Sequence, residues 1–404
     1  MAIQLDVGVL ACLRSGDFKA EVESLERYLQ VLTRPPMFTT LRIDRSCITA
    51  EEAEEKICQS LEEQSLKSGV ATFPMFWHKD FDDCLVLQNR GPNSVDTVEK
   101  EVMVDLACGM AVLRGANIFI QGIMAAPTSL AKGDAVSVFA DLDKKCLKGL
   151  TTKYTGRKLF VGNGISQVSR ADVFNAHSES LRGLAVLMTQ PVYEAPCLSE
   201  LAFPWLVAQN LPSIACVHAL DPRPGQAVLD MCAAPGGKTS HIAALMEHRG
   251  SVVALEKSGQ RAKKLEKMGL PGVQVFTFDA TKALSPGAEA VSGEQHAGPA
   301  ADLLKPHGVL VYSTCTITAA ENEEQVAKLL AKRPDLQLVA PSVQLGKGGL
   351  RGSQLTAEQS SMVQRFDPGE LLSCPGPASG DLHNVDTIGF FIAKFVKAGQ
   401  KEGT

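Results

Sequence analysis

The stretch from Gln226 to Met246 restricts the fold more than any other part of the chain. A short apolar run, Gln226 to Met231, ends around Asp230 and passes into Cys232-Ala-Ala-Pro-Gly-Gly-Lys-Thr239, after which His241 to Met246 is helical in character. Strand, tight turn and helix in that order open a unit of a parallel α/β sheet. Gly236 and Gly237 let the chain reverse with bare backbone N–H groups at the helix start, where a carboxylate or phosphate can approach. A P-loop is excluded, because that motif needs glycine five positions before Gly237 and Cys232 stands there; G-x-G-x-x-G is absent too. Two further acids, Glu256 after Ser251 to Leu255 and Asp279 after Val273 to Phe278, fall at the ends of the next apolar runs. Three carboxylates repel phosphates but suit ribose hydroxyls, an amino group and a positive sulfonium. The expected cofactor is S-adenosylmethionine.

Gly308 to Tyr312 is another buried-strand signal, and it delivers Ser313-Thr-Cys-Thr-Ile-Thr318 ahead of a helix that begins near Glu321-Asn-Glu-Glu. Ligands sit at that edge of a parallel α/β sheet, so Cys315 is expected to face the crevice as the candidate nucleophile. A free thiol of pKa about 8.5 is only slightly ionised at neutral pH, so this role needs a nearby base or a site that favours thiolate.

The rest of the chain divides by texture. Residues 1–110 read as a small α+β module: from Phe18 to Leu32, Val22, Leu25, Leu29 and Leu32 have helical spacing, Pro35 and Pro36 end that helix, and Thr49 with Glu52 forms a capping box before Ala53, Ile57 and Leu61. Residues 111–203 show short apolar runs punctuated by glycine, a β-rich pattern. Within it Lys144, Lys145, Lys148, Lys153, Arg157 and Lys158 face only Asp141 and Asp143, a local excess of +4. Forty Lys and Arg against forty-five Asp and Glu leave −5 overall, so a nucleic-acid partner must be held by such a patch or not at all. Residues 204–404 alternate strand-like and helical runs, the pattern of βαβ units.

Eleven cysteines without a C-x-x-C pair fit reduced thiols in a cytoplasmic protein. The start lacks a basic leader, and no apolar run approaches the roughly 20 residues of a membrane span. His78, His218, His241 and His383 lack metal-ligand spacing along the chain, so no metal is expected. No obligate protein partner is evident.

Cys232 to Thr239, together with Ser313-Thr-Cys-Thr316 and Glu321-Asn322-Glu323, resembles the Nop/Sun family of RNA (cytosine-5) methyltransferases. Gln209-Asn-Leu-Pro-Ser213 and Gly389-Phe-Phe-Ile-Ala-Lys394 resemble it as well. Ala111 to Gly115 and Val161-Gly-Asn-Gly-Ile165 resemble a PUA domain, an RNA-binding module. The pairing resembles the PUA-containing branch of the family, which methylates cytosine in tRNA and mRNA. The resemblance implies an α/β fold: a Rossmann-like methyltransferase domain, a β-rich PUA domain and the small N-terminal module. It implies that Cys232, Ala233, Ala234, Pro235, Gly236, Gly237 and Lys238 hold the methionine part of the cofactor, Glu256 its ribose and Asp279 its adenine. It makes Cys315 the nucleophile and sets the six cations of the central segment against RNA phosphates. Lys238 is open to three readings: cofactor contact, cytosine contact or a cap on local carbonyls.

One departure stands out. After Asp279 the family fold needs a helix, a fourth strand and another helix before the strand leading to Cys315, but only 23 residues, Ala280 to Asp302, are available. One crossover alone takes about 10 to 12 residues, and Leu284 to Ala301 is mostly Ala, Gly, Pro and Ser. The fourth strand is therefore expected to be missing, and with it the family's Asp-Ala-Pro-Cys motif, whose aspartate helps hold the target and whose cysteine assists product release. Two readings follow: a cytosine-5 RNA methyltransferase with slow turnover, or a catalytically impaired isoform that binds tRNA.

Overall fold

The computed structural model describes residues 6–15, 22–174, 183–282, 297–350, 352–369 and 382–399. Helices α1 (Val7–Ser15) and α2 (Val22–Val31) precede strand β1 (Phe38–Ile43), helix α3 (Ala50–Ser68) and strands β2 (Met75–Trp77) and β3 (Cys84–Gln88). Leu25 is buried as its spacing predicts, whereas Leu32 lies past the end of α2 and is exposed; residues 18–21 of the expected helix lie outside the described residues. The capping box forms: the Glu52 amide donates to Thr49 Oγ1 at 3.2 Å and the Thr49 amide to Glu52 Oε2 at 3.3 Å. Ala53, Ile57 and Leu61, at i, i+4 and i+8, then pack against Leu41, Leu85 and Leu87.

Strands β4 (Glu101–Val104), β5 (Ile118–Phe119), β6 (Ile123–Ala125), β7 (Ala135–Asp141), β8 (Lys158–Ser166) and β9 (Leu184–Pro191) form one six-stranded sheet in the order β5-β9-β8-β7-β4-β6, with helices α4 (Leu106–Val112) and α5 (Arg170–Phe174) alongside. Its core is made by alternating valines and isoleucines such as Val102, Val104, Val136 and Val138. Two expected boundaries shift. β4 already belongs to this sheet, so the second unit starts by Glu101 rather than 111, and strand β10 (Leu206–Ala208), expected in the third unit, pairs with β1 at Leu41↔Ala208. Both shifts have one cause: strand membership is decided by long-range pairing, which local texture does not carry.

The remainder alternates as expected: α6 (Leu211–Leu220), β11 (Ala227–Asp230), α7 (Gly237–Leu245), β12 (Ser251–Glu256), α8 (Gly259–Glu266) and β13 (Val273–Thr277), then α9 (Ala297–Leu303), β14 (Val309–Thr314), α10 (Glu323–Lys332), β15 (Leu336–Val339), α11 (Ala357–Met362), β16 (Gln364–Phe366), α12 (Leu382–Val385) and β17 (Phe390–Lys397). β11, β12 and β13 are parallel neighbours; β14, β15 and β16 all pair antiparallel with β17. Among the described residues, β11 pairs only with β12 and β14 only with β17. Leu229 and Phe276, on one face of the parallel sheet, are 37% and 48% exposed. No described helix is long and apolar enough to cross a membrane.

Candidate active site

Register places the three acids at one end of the parallel sheet. Asp230 lies opposite Ala254, two residues before Glu256, and Glu256 lies opposite Thr277, two residues before Asp279. The acids differ in what they do. Asp230 closes the turn, accepting from the Cys232 amide at 3.1 Å and from Thr239 Oγ1 at 2.8 Å, and burial raises its pKa. Glu256 is buried, accepts from the Ser258 amide at 2.9 Å and has the Arg261 guanidinium 3.6 Å away. Asp279 is bonded by Thr281 Oγ1 at 2.7 Å and paired with Lys257 at 3.0 Å; those two contacts lower its pKa to about 2.

The turn between β11 and α7 is built to admit a ligand. Gly236 has φ 112°, and a Cβ there would stand 2.7 Å from both Leu265 Cδ1 and Met268 Sδ, so only glycine fits. The Ala234–Pro235 bond is cis. Ala233 and Ala234 are buried beneath the turn, and no side chain caps the α7 start, which leaves its first amides for a ligand carboxylate. Amide donors at α7, a carboxylate at the end of β12 and another beyond β13 match a nucleoside that carries an amino acid. The residues present therefore fit S-adenosylmethionine. Cys232 is exposed at the mouth of the turn.

Cys315 follows the last residue of β14 and is exposed. Thr314 lies opposite Phe391, so the thiol stands one step beyond, beside Phe390, and Lys238 of the glycine turn places Nζ over the Phe390 ring at 5.5 Å. On the α6 side, Cys216 is buried against this part of the sheet, and burial raises the pKa of its thiol. The end of β14 and the glycine turn are thus linked through Phe390 of β17.

The Glu321-Asn-Glu323 motif works as a clamp on the thiol's flanks. Asn322 is fully buried: its Oδ1 accepts from Thr314 Oγ1 at 2.5 Å and its Nδ2 donates to the Thr316 carbonyl at 3.1 Å, one residue on each side of Cys315. Glu323, also fully buried, holds Arg365 Nη1 at 3.0 and 3.1 Å, and Arg365 Nη2 donates to the Ile317 carbonyl. Sequence reading passed over Arg365 and Arg261. Arg261 donates from Nη2 to the Ala234 carbonyl at 2.5 Å while standing beside Glu256, which ties the turn to the second acid. Its one visible signal is its place in the first turn of α8, five residues after Glu256.

The six cations of the central segment separate into two groups. Lys153 and Lys158 both pair with Glu101, and Arg157 pairs with Asp143 at 2.7 Å. Glu101 precedes the segment and was not counted in its charge. Lys144, Lys145 and Lys148 make no ion pair among the described residues, and Lys144 adopts φ 55°. The histidines are also regrouped: His218 and His241, far apart by spacing, meet on Asp83 within 4.8 Å of one another's ligand atoms.

The family model described as 16S rRNA methyltransferase RsmB/F matches residues 217–291 and 297–396. The tRNA (cytosine(72)-C(5))-methyltransferase NSUN6 of Mus musculus is 37% identical, over 95% of this chain and 92% of the relative, and that of Homo sapiens is 38% identical, over 94% and 92%. The mouse alignment spans 445 positions, whereas 95% of 404 residues is about 384, so about 60 positions have no residue in this chain. The crystal structure of NSun6 from Pyrococcus horikoshii with SFG superposes with a TM-score of 0.68 at 27% identity, covering 94% of this chain and 95% of that one. The fold is the Rossmann-like fold of S-adenosylmethionine-dependent methyltransferases, and the chain belongs to the Nop/Sun family of RNA (cytosine-5) methyltransferases.

Proposed function

We propose that this chain methylates carbon 5 of cytosine in tRNA, using S-adenosylmethionine, through a covalent adduct on Cys315. The observation that carries this reading is an exposed thiol at the end of β14, with its flanks clamped by Asn322, on the strand that pairs with β17, whose Phe390 lies under Lys238 of the glycine turn. Carbon 5 of cytosine is a poor nucleophile. Addition of the Cys315 thiolate to carbon 6 forms a C–S bond and moves the ring electrons to carbon 5, which becomes nucleophilic. When bound, the cofactor supplies the electrophilic methyl group. A base then removes the carbon-5 proton, the C–S bond breaks, and the electron pair of the C–H bond restores the ring double bond. The base must be unstacked for such attack, so a single-stranded or flipped cytosine is the substrate form.

In this reading Cys232 to Lys238 take the methionine end, Glu256 the ribose and Asp279 the adenine. The six-stranded sheet is a PUA domain, and Lys144, Lys145 and Lys148 contact tRNA phosphates. The break between β11 and β14 is the site of the lost fourth strand. Three facts support this: both strand edges lack a described partner there, the family match is interrupted between 291 and 297, and about 60 alignment positions are empty in this chain. The Asp-Ala-Pro-Cys motif goes with that strand, so release is the slow step. Incubation of the protein and its Cys315→Ala variant with methyl-labelled cofactor and tRNA tests the reading. Label in 5-methylcytosine is expected with the wild type and none with the variant; equal labelling by both would refute it.

A further inference from the structure

Behind the glycine turn lies a buried polar group that methyl transfer does not use, and half of it comes from the N-terminal module. Asp83, just before β3, is 2% exposed and carries two imidazoles on one carboxylate: His218 Nε2 from α6 at 2.8 Å and His241 Nε2 from α7 at 2.7 Å. Arg42 of β1, also 2% exposed, donates from Nε to Gln209 Oε1 at 2.9 Å and from Nη2 to Ser240 Oγ at 2.7 Å. The Gln209 amide carbon stands 3.8 Å from the place a Cβ on Gly237 would occupy. Ser240 and His241, within the first turn and a half of α7, are therefore bonded by a network anchored on β1 and the start of β3, and Gln209 of that network lies beside Gly237.

The chemistry of the group explains why both anchors are needed. Burial lowers the Arg42 pKa to about 10 while Asp83 opposes that, and burial drives His241 down to about 4, so its imidazole is neutral at neutral pH. A neutral His241 donates through Nε2–H and leaves Nδ1 buried without a partner. The contacts to Asp83 are at hydrogen-bond length, shorter than two ligands of one zinc ion stand from each other, and Arg42 already balances the carboxylate. The group is a charge-balanced network rather than a cation site.

We propose that Arg42 and Asp83 are positioning residues for the cofactor turn, so that the N-terminal module forms the floor of the cofactor site. This rests on the reading that the turn between β11 and α7 holds S-adenosylmethionine. Losing a hydrogen bond from a charged group to the floor is expected to weaken cofactor binding about tenfold. The test measures three quantities for Asp83→Asn and Arg42→Gln: the Kd for S-adenosylmethionine by calorimetry, amide hydrogen exchange of residues 232–241 without cofactor, and KM and kcat for each substrate. Cofactor Kd and KM should rise about tenfold, exchange across 232–241 should quicken, and kcat at saturating cofactor and KM for tRNA should stay within about twofold. His218→Gln, which keeps an N–H donor toward Asp83 and touches Asp83 from α6, should leave cofactor Kd within about twofold. Should Asp83→Asn fail to fold, Ser240→Ala removes the acceptor of Arg42 Nη2 together with the donor to the Gly237 carbonyl, and a rise of about threefold in cofactor Kd is expected, in the same direction as that of Arg42→Gln. Unchanged cofactor Kd and unchanged exchange across 232–241 in the folded variants would overturn the proposal even if global stability fell. Failure of the wild type to bind S-adenosylmethionine would instead refute the cofactor reading, and the exchange data would still decide whether the network fixes the turn.

Discussion

Replacing Glu323 with alanine should loosen the nucleophile's support and cost a large part of local stability. The side chain is 0% exposed and its cation, Arg365, is 8% exposed and bound at 3.0 and 3.1 Å. Deleting one partner of such a pair leaves a buried charge uncompensated, at about 3–5 kcal/mol, against a whole-protein stability of about 5–15 kcal/mol. Glu323 also accepts the Leu350 amide at 2.9 Å, which alanine leaves unpaired. Glu323→Gln keeps shape and acceptor but removes the charge, so its cost should fall near half that of alanine. Because several domains need not unfold together, the readout is amide exchange in peptides covering β14 and α10, converted to local opening free energies. The same samples report the rate of adduct formation at Cys315, which should drop because Arg365 holds the Ile317 carbonyl two residues away. A local change below about 1 kcal/mol would refute the reasoning, since it is the size found for solvent-screened pairs.

Asn322→Ala should slow adduct formation more than it lowers cofactor affinity, since its bonds flank the thiol at Thr314 and Thr316; equal losses in both, measured by quench-flow and calorimetry, would contradict the clamp. Through His241, stability should fall as pH drops from about 6.5 to about 4, because the unfolded chain protonates His241 in that window while the folded imidazole, buried against Asp83, Arg42 and His218, stays neutral until about 4. The urea midpoint at pH 5 relative to that at pH 7.5 should therefore be higher in His241→Gln than in the wild type, while Asp386, whose pKa burial raises to about 6, adds stability below that pH in both. Changing Lys144, Lys145 and Lys148 together to alanine should weaken tRNA binding and flatten its salt dependence by about 2 in log–log slope; changing Lys153, Arg157 and Lys158 should have less effect, because each is already engaged by Glu101 or Asp143. Thr49→Ala should cost about 1 kcal/mol in the N-terminal module through loss of the capping box, read by amide exchange in α3.

The glycine turn, the three strand-end acids and Cys315 were legible because each is a local pattern: a strand, a tight turn and a polar residue at a fixed place in the unit. The capping box at Thr49 was legible for the same reason. What local pattern could not carry is anything settled by partners far along the chain. β10 looked like the start of the third unit yet pairs with β1, and Lys153 looked free because Glu101 lies more than fifty residues away. Arg42 and Asp83 have ordinary sequence surroundings, and their meeting with Gln209 and His241 depends on β1, the start of β3, the segment before α6 and α7 packing together. The motif Glu321-Asn-Glu was recognisable by resemblance, but its physical work, clamping Thr314 and Thr316 and restraining Arg365, becomes visible only in the structure.

The account stands on a sulfur–carbon bond between Cys315 and cytosine. The most direct measurement is intact-complex mass spectrometry, followed by digestion and peptide mapping, of the protein incubated with tRNA and S-adenosylmethionine. A tRNA adduct carrying one added methyl, mapped to Cys315, absent in Cys315→Ala and decaying slowly, is the predicted result. Methylated tRNA formed with no adduct at that residue, or an adduct that survives Cys315→Ala, would contradict it.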